Sequence, residues 1–336
     1  MRTLERPPVK ALQRVSNALS DICHRWVPDP WIIVVLLTGV AAILSYFLAP
    51  GGLGADKVHT ILEGWGGGFW GLLEFGMQMA FILMSGYVVA SSPPLRRALI
   101  WIADRQAGPK RTVATVALTS MMLTWVHWGI GLVAAGILVR YLAARETRAD
   151  YRLLVAAAYL GMSGTFHAGL SSSAGLLVAT PGHFAEGYFG IIPTGDTIFS
   201  PFNLILVAVT IVAWTMTAIL LHPSEAETVR PPAAIRQALA EELTASGHTG
   251  PDAIGSPEPA PADRRSPVQV IENSPWVNGT IGVAGLAYVL VYFGGLEGSA
   301  LNGLTLNSVN FIFLFIGILL HGTPKSLLTA AEKGGS

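Results

Sequence analysis

Two short stretches of this sequence carry residue types that could handle a charged small molecule in an apolar setting. The first is Trp125-Val126-His127-Trp128-Gly129, an imidazole between two indoles. Its histidine, with an unperturbed pKa near 6.5, could meet a carboxylate or carry a proton. The second runs from Gly161 to Gly175 and reads GMSGTFHAGLSSSAG, placing Thr165, His167, Ser171, Ser172 and Ser173 among four glycines. A third pair, Glu74 and Gln78, stands one helical turn apart on one face. A carboxylate inside a membrane span is costly and points to gating or ion coupling, whereas the same Glu74 at interface depth would be unremarkable.

The elements that hold these residues are membrane helices. Only 12% of the 336 residues are charged and 51% are hydrophobic, against about 25% charged in ordinary soluble proteins. Mean hydropathy is +0.52. A bilayer core about 30 Å thick needs roughly 20 apolar residues per helix. Such runs occupy residues 31–48, 69–90, 112–138, 153–180, 201–221 and 276–294, with a shorter one at 306–320. Continuous runs exclude a β-barrel, whose strands alternate over about ten residues. A formal net charge of zero excludes nucleic acid as a partner. The single Cys23 excludes a disulfide framework, and eight scattered histidines without HExxH spacing point to no metal site and no cofactor.

These runs divide the chain into an amphipathic amino-terminal segment (1–30), a membrane domain (31–221), a flexible loop (222–275) and carboxyl-terminal membrane segments (276–336). The first is expected to lie in the interface, with Val9, Leu12, Val15, Leu19 and Ile22 on one face. The loop carries SPEPAPADRRSP at its centre, a composition that forms no packed core.

Lys and Arg near span ends stay on the cytoplasmic side. Basic residues crowd the amino-terminal segment and the links on both sides of 112–138, which a single crossing of that run cannot satisfy. A re-entrant hairpin turning at 125–129 removes the conflict, because its first arm of thirteen residues reaches about 20 Å, near midplane. The amino terminus and twenty of the twenty-one basic residues then face the cytoplasm. The alternative is one long tilted helix with Arg140, Arg145, Arg148 and Arg152 outside, offset only by Glu146 and Asp150.

Within 153–180, the hydroxyl- and glycine-rich centre predicts a broken helix. Irregular backbone at membrane depth is tolerated only when buried in protein or lining a cavity. In carriers, such breaks aim the amino-terminal end of a half-helix at an anionic substrate, and Ser171 to Ser173 stand where a half-helix beginning near Ala174 would offer its N–H groups. The plainer reading is a small-residue packing face with serines bonded to their own backbone. Hairpin and break together favour an alternating-access carrier of small organic anions. In it, Ser171, Ser172 and Ser173, with Thr165, His167 and His127 nearby, hold the carboxylate. Trp125, Trp128 or Phe166 packs the acyl tail. A channel and a membrane-embedded serine hydrolase are the competing classes; no G-x-S-x-G occurs in the serine run to support the latter. His321 and Asn310 read as interhelical hydrogen-bonding residues.

The strings FWGLLEFGMQMAFILMSGYVVASSPP (69–94), WVHWGIGLVAAGILVR (125–140), DYRLLVAAAYLGMSGTFHAGLSSSAGLLVATPGHF (150–184), DTIFSPFNL (196–204) and NFIFLFIGILLHGTP (310–324) resemble the bacterial short-chain fatty acid transporter family. The resemblance implies a multi-pass protein of the bacterial inner membrane that takes up acetoacetate, butyrate or similar monocarboxylates in symport with Na⁺ or H⁺, with a homodimer compatible. It also implies an ion-transporter-like fold of two inverted repeats, each with a hairpin and a broken helix. On that pattern further membrane segments follow, so the second repeat is incomplete here. The chain departs from the family in having His127 where Asn is common before the WG pair, and Ser172 where a second glycine is usual.

Overall fold

The computed structural model describes residue 25 and residues 27–68, 70–106, 108–233, 237, 266–296 and 298–335. The expected interfacial segment 1–30 and the centre of the loop 222–275 therefore lie almost wholly outside the described residues. The described residues form helices and connecting turns without a strand, and six segments are long and apolar enough to cross a membrane. This is an all-α integral membrane protein. The chain divides into two compact units at Leu73.

In the first unit, Asp29 caps α1 (Pro30–Leu48) by accepting the Trp31 N–H. Nearly every side chain of this apolar helix is exposed, including Leu36, Leu37, Ile43 and Phe47. A helix apolar all round belongs in a protein core or in a membrane. α2 (Ala55–Gly68) follows, and Lys57 Nζ donates to the Ala49 carbonyl beyond the end of α1.

The second unit contains α3 (Leu73–Ser91), α4 (Pro93–Asp104), α5 (Pro109–Val126), α6 (Trp128–Arg145) and α7 (Tyr151–Leu160). After an irregular stretch come the short α8 (Ser173–Leu177) and α9 (Glu186–Phe189), then α10 (Pro201–Leu220). α11 (Pro267–Glu272), α12 (Pro275–Gly294), α13 (Leu306–His321) and α14 (Pro324–Gly335) complete the described chain. Proline stands at the start of seven of the described helices, where its missing N–H costs nothing.

The run 112–138 is two helices folded back on each other. At His127 the backbone is extended (φ −156°, ψ 111°), and Gly131 on α6 packs against Thr124 on α5. The two far ends meet: Arg145 pairs with Asp104 at 2.8 Å, and Glu146 accepts the Gly108 N–H at 3.0 Å. Leu138, Leu142, Val116, Met121 and Leu154 fill the core between α5, α6 and α7.

The hairpin tip lies beside the middle of α3. A Cβ on Gly86 would stand 2.6 Å from the Gly129 backbone, and one on Gly129 would stand 2.9 Å from the Ile82 carbonyl. Only glycines permit this approach. α13 runs alongside α3 in the same direction, with Asn310 Nδ2 donating to the Gln78 carbonyl at one level and His321 Nε2 facing the Val88 carbonyl at another.

The loop 222–275 is pinned at its start. Asp150 accepts the Val229 N–H at 2.8 Å, and the Tyr151 N–H donates to the Val229 carbonyl. The buried Asp150 carboxylate thus supplies a partner for the backbone of the loop's first residues. α4 and α14, both amphipathic, are further elements that a search for long apolar runs passes over.

Candidate functional site

α7 ends at Leu160, and the chain continues as one widened turn (Gly161–Thr165) and one tightened turn (Phe166–Ala168) before helical bonding stops at Gly169. The break is seated on the hairpin. Ser120 Oγ donates to the Ala158 carbonyl and accepts the Gly161 N–H at 3.1 Å. Thr165 Oγ donates to the Met121 carbonyl at 2.8 Å, and the Leu170 N–H reaches the Trp125 carbonyl at 2.6 Å. Gly169 lets these backbones touch, since a Cβ there would sit 2.5 Å from the same Trp125 oxygen. Hairpin tip and helix break therefore form one assembly.

Within it the serines have definite duties. Ser171 Oγ accepts the Trp128 N–H at 2.8 Å, satisfying an orphan donor in the first turn of α6. Ser172 Oγ caps α8 by accepting the Gly175 N–H, and Ser173 Oγ donates to Met79 Sδ of α3 at 3.3 Å. The half-helix expected to polarise an anion is only five residues long, Ser173–Leu177, so it has little macrodipole to offer and its first turn is already capped. Thr165 is fully buried, its hydroxyl directed at the Met121 carbonyl of the hairpin and the Gly161 carbonyl of its own turn. His167 points away from the assembly; it is exposed beside Phe166.

What remains unsatisfied is on the hairpin. His127 is wholly buried; its Nδ1 accepts the Ile130 N–H, which leaves the ring hydrogen on Nε2. Among the described residues, His127 Nε2, Trp125 Nε1 and Trp128 Nε1 are all buried without a hydrogen-bond partner. Three N–H donors thus stand unpaired within four residues. Leaving a buried donor unpaired costs about 1–3 kcal/mol, and such groups are rare in native interiors unless something absent completes them. None of the serine hydroxyls is bonded to either ring nitrogen of His127, and no nucleophile–base pair is formed there.

An apolar shell surrounds these donors. Ile82, Leu176, Ile198, Leu306 and Val309 form its buried core, and Met79, Trp125, Trp128, Phe199 and Phe313 pack against it. Phe313 of α13 lies edge-on to the His127 ring with centroids 4.3 Å apart, and Trp128 meets Phe166 at 6.0 Å. The unpaired N–H donors thus stand in apolar surroundings.

Glu74 and Gln78 stand apart from this assembly, in a groove of about 430 Å³ between α3 and α13. Gln78 Nε2 donates to Glu74 Oε1 at 3.3 Å and to Asn307 Oδ1 at 2.9 Å. Asn307 and Asn310 belong to the same polar group. Their spacing, one turn apart like Glu74 and Gln78, was the available signal for two facing polar edges. His321 has both ring nitrogens engaged, by Val88 O and Ser326 Oγ, and is structural.

Residues 11–335 match the family described as short chain fatty acid transporter. A protein of Escherichia coli (strain K12) is 34% identical over 319 residues, covering 94% of this chain and 66% of its own length. One of Haemophilus influenzae (strain ATCC 51907 / DSM 11121 / KW20 / Rd) is 32% identical over 330 residues, covering 95% and 67%. Both carry names that propose short-chain fatty acid transport. The chain spans about two thirds of the length of these curated relatives. No solved structure matches it significantly. With its membrane-crossing helices and a family match along nearly its whole length, the chain belongs to the short-chain fatty acid transporter family.

Proposed function

We propose that this chain carries short-chain carboxylates such as acetoacetate and butyrate across the bacterial inner membrane by cation-coupled alternating access. The observation that carries the reading is the set of unpaired donors at the hairpin tip, His127 Nε2, Trp125 Nε1 and Trp128 Nε1. A carboxylate has two oxygens able to accept several such bonds, and charge-assisted bonds of this kind are about twice as strong as neutral ones. The hydroxyl hydrogen of Ser171 is a fourth candidate donor, since its oxygen is the one that accepts from Trp128. Ser172 and Ser173 act by holding the break in place, and the acyl tail packs among Met79, Ile82 and Phe313.

The amino terminus faces the cytoplasm in this reading. The two ends of the hairpin, which meet through Arg145 and Asp104, carry the basic links, so both are retained on one side by the positive-inside bias. The hairpin is then re-entrant, with its tip beside Ile82 and Gly86 at the middle of α3.

Uptake of labelled butyrate and acetoacetate into proteoliposomes under imposed sodium or proton gradients tests the proposal. Saturable, gradient-driven uptake is expected. Flux that never saturates is the behaviour of a channel, and absent uptake by well-inserted protein contradicts a carrier.

A further inference from the structure

The groove between α3 and α13 has a composition unlike that of the hairpin tip: it gathers oxygens. Glu74 contributes a carboxylate, and among the described residues no Lys or Arg lines the groove to balance it. Gln78 places its side-chain nitrogen between Glu74 Oε1 and Asn307 Oδ1, which turns its own carbonyl oxygen outward from that pair. Asn310 gives its side-chain N–H to the Gln78 main-chain carbonyl at 3.0 Å, fixing the orientation of the amide. Its Oδ1 is buried without a donor among the described residues, in a residue only 8% exposed. An amide oxygen held in place and left unpaired lacks a positive partner.

We propose that this groove binds one sodium ion, through Glu74, Asn307, Asn310 and Gln78 Oε1; the inference rests on the carrier reading above, for which it supplies the coupling ion. Carboxylate and carbonyl oxygens suit hard cations, not the thiolate- and imidazole-seeking transition metals. Among the described residues no group of three or more His, Cys, Asp and Glu gathers to hold a metal ion. Charge decides between monovalent and divalent ions. One carboxylate neutralises one positive charge, whereas Ca²⁺ or Mg²⁺ would leave an uncompensated charge against Phe81 and Leu314, which is expensive in an apolar medium. A proton alone would need Glu74 but would leave Asn310 Oδ1 unpaired.

The groove also touches the carboxylate site through both of its walls. Met79, next to Gln78 on α3, accepts the Ser173 hydroxyl from the helix break. Phe313, one turn beyond Asn310 on α13, contacts the His127 ring. An ion that fixes α3 against α13 therefore sets the position of two groups around the hairpin tip, giving each ligand a reason to favour the other's bound state.

The test is the thermal midpoint of the purified, detergent-solubilised chain in sodium chloride against equimolar choline chloride at constant pH, without carboxylate. Saturating sodium is expected to raise the midpoint by about 5 °C, with Glu74→Gln and Asn310→Leu abolishing the shift. If Asn310→Leu does not fold, Asn307→Ala, at an exposed position, serves in its place. No sodium-specific shift in the wild-type chain, or an undiminished shift in both variants, overturns the proposal, as does stabilisation that follows pH alone and is equal in both salts. Butyrate binding is read separately: its loss with the sodium shift intact would count against the carrier reading, and its retention without any sodium shift would count against this groove alone.

Discussion

Replacing Gly86 with alanine adds one methyl group at the point where α3 supports the hairpin tip. That Cβ would stand 2.6 Å from Gly129 Cα and carbonyl carbon and 2.8 Å from the Ile130 nitrogen, all backbone atoms. Restoring an ordinary contact of 3.4 Å requires the tip to retreat by roughly 0.8 Å, and overpacking of this kind costs about 1–3 kcal/mol. His127 and Trp128 precede the displaced residues, so the donors shift with them. If the cost falls on the bound state, the apparent KM for butyrate rises by roughly 5- to 150-fold, since every 1.4 kcal/mol is tenfold. Gly136→Ala, on the same hairpin, is the matched control, because its Cβ would meet nothing within 4 Å. Initial uptake rates across butyrate concentrations, normalised to inserted protein, compare the pair. A Gly86→Ala protein with wild-type KM and wild-type thermal midpoint would refute the argument that close backbone contact positions the tip.

Three further outcomes are expected. Ser120→Ala leaves the buried Ala158 carbonyl and Gly161 N–H without their shared hydroxyl, a loss of about 2 kcal/mol or more that calorimetry should record as a midpoint lower by several degrees. Asp150→Asn should free residues 222–229, since the carboxylate accepts the Val229 and Leu153 N–H groups and an Arg152 guanidinium N–H; faster amide exchange at Val229 is the readout, and unchanged protection contradicts it. In the wild-type protein that docking has a defined pH dependence. Burial works to raise the Asp150 carboxyl, but the backbone donors and Arg152 outweigh it and hold its pKa below the ordinary value of 3.8. A depressed native pKa gives stability that is complete above the unfolded value and lost as pH falls through the native one. Val229 protection should therefore stay constant across neutral pH and decline only below about pH 4. Glu146 behaves in the same sense, held low chiefly by the Arg148 side chain and also by the Arg148 and Gly108 N–H groups, with burial opposing.

The helical membrane class was legible because a run of twenty apolar residues has few other physical uses. The fold-back at His127 was legible for a different reason. Basic residues on both sides of 112–138 made one crossing costly, and Trp-Val-His-Trp-Gly offered a turn. The break at Gly169 was announced by glycine and serine, which make poor lipid-facing helix. The division of labour among the polar residues could not be read in the same way. A serine in sequence does not disclose whether its oxygen is already engaged, and here Ser171, Ser172 and Ser173 all bind their own protein first. His167 lies beyond a widened turn, which shifts the helical phase and carries it to the outside. That His127 presents an unpaired donor emerged only because its Nδ1 accepts the Ile130 N–H, a detail of the turn's geometry. Asn310 was legible in half: its nitrogen does bond across helices, but its oxygen is left over.

The most direct test of the carboxylate site is nuclear magnetic resonance of the chain labelled with nitrogen-15 at tryptophan, with Trp125→Phe and Trp128→Phe assigning the two indole N–H signals. Butyrate should move both signals downfield in a saturable manner as their N–H groups acquire an acceptor, while butyramide, of the same size but uncharged, should leave them close to their starting positions. Signals that ignore butyrate, or that respond equally to butyramide, would contradict a carboxylate held at the hairpin tip.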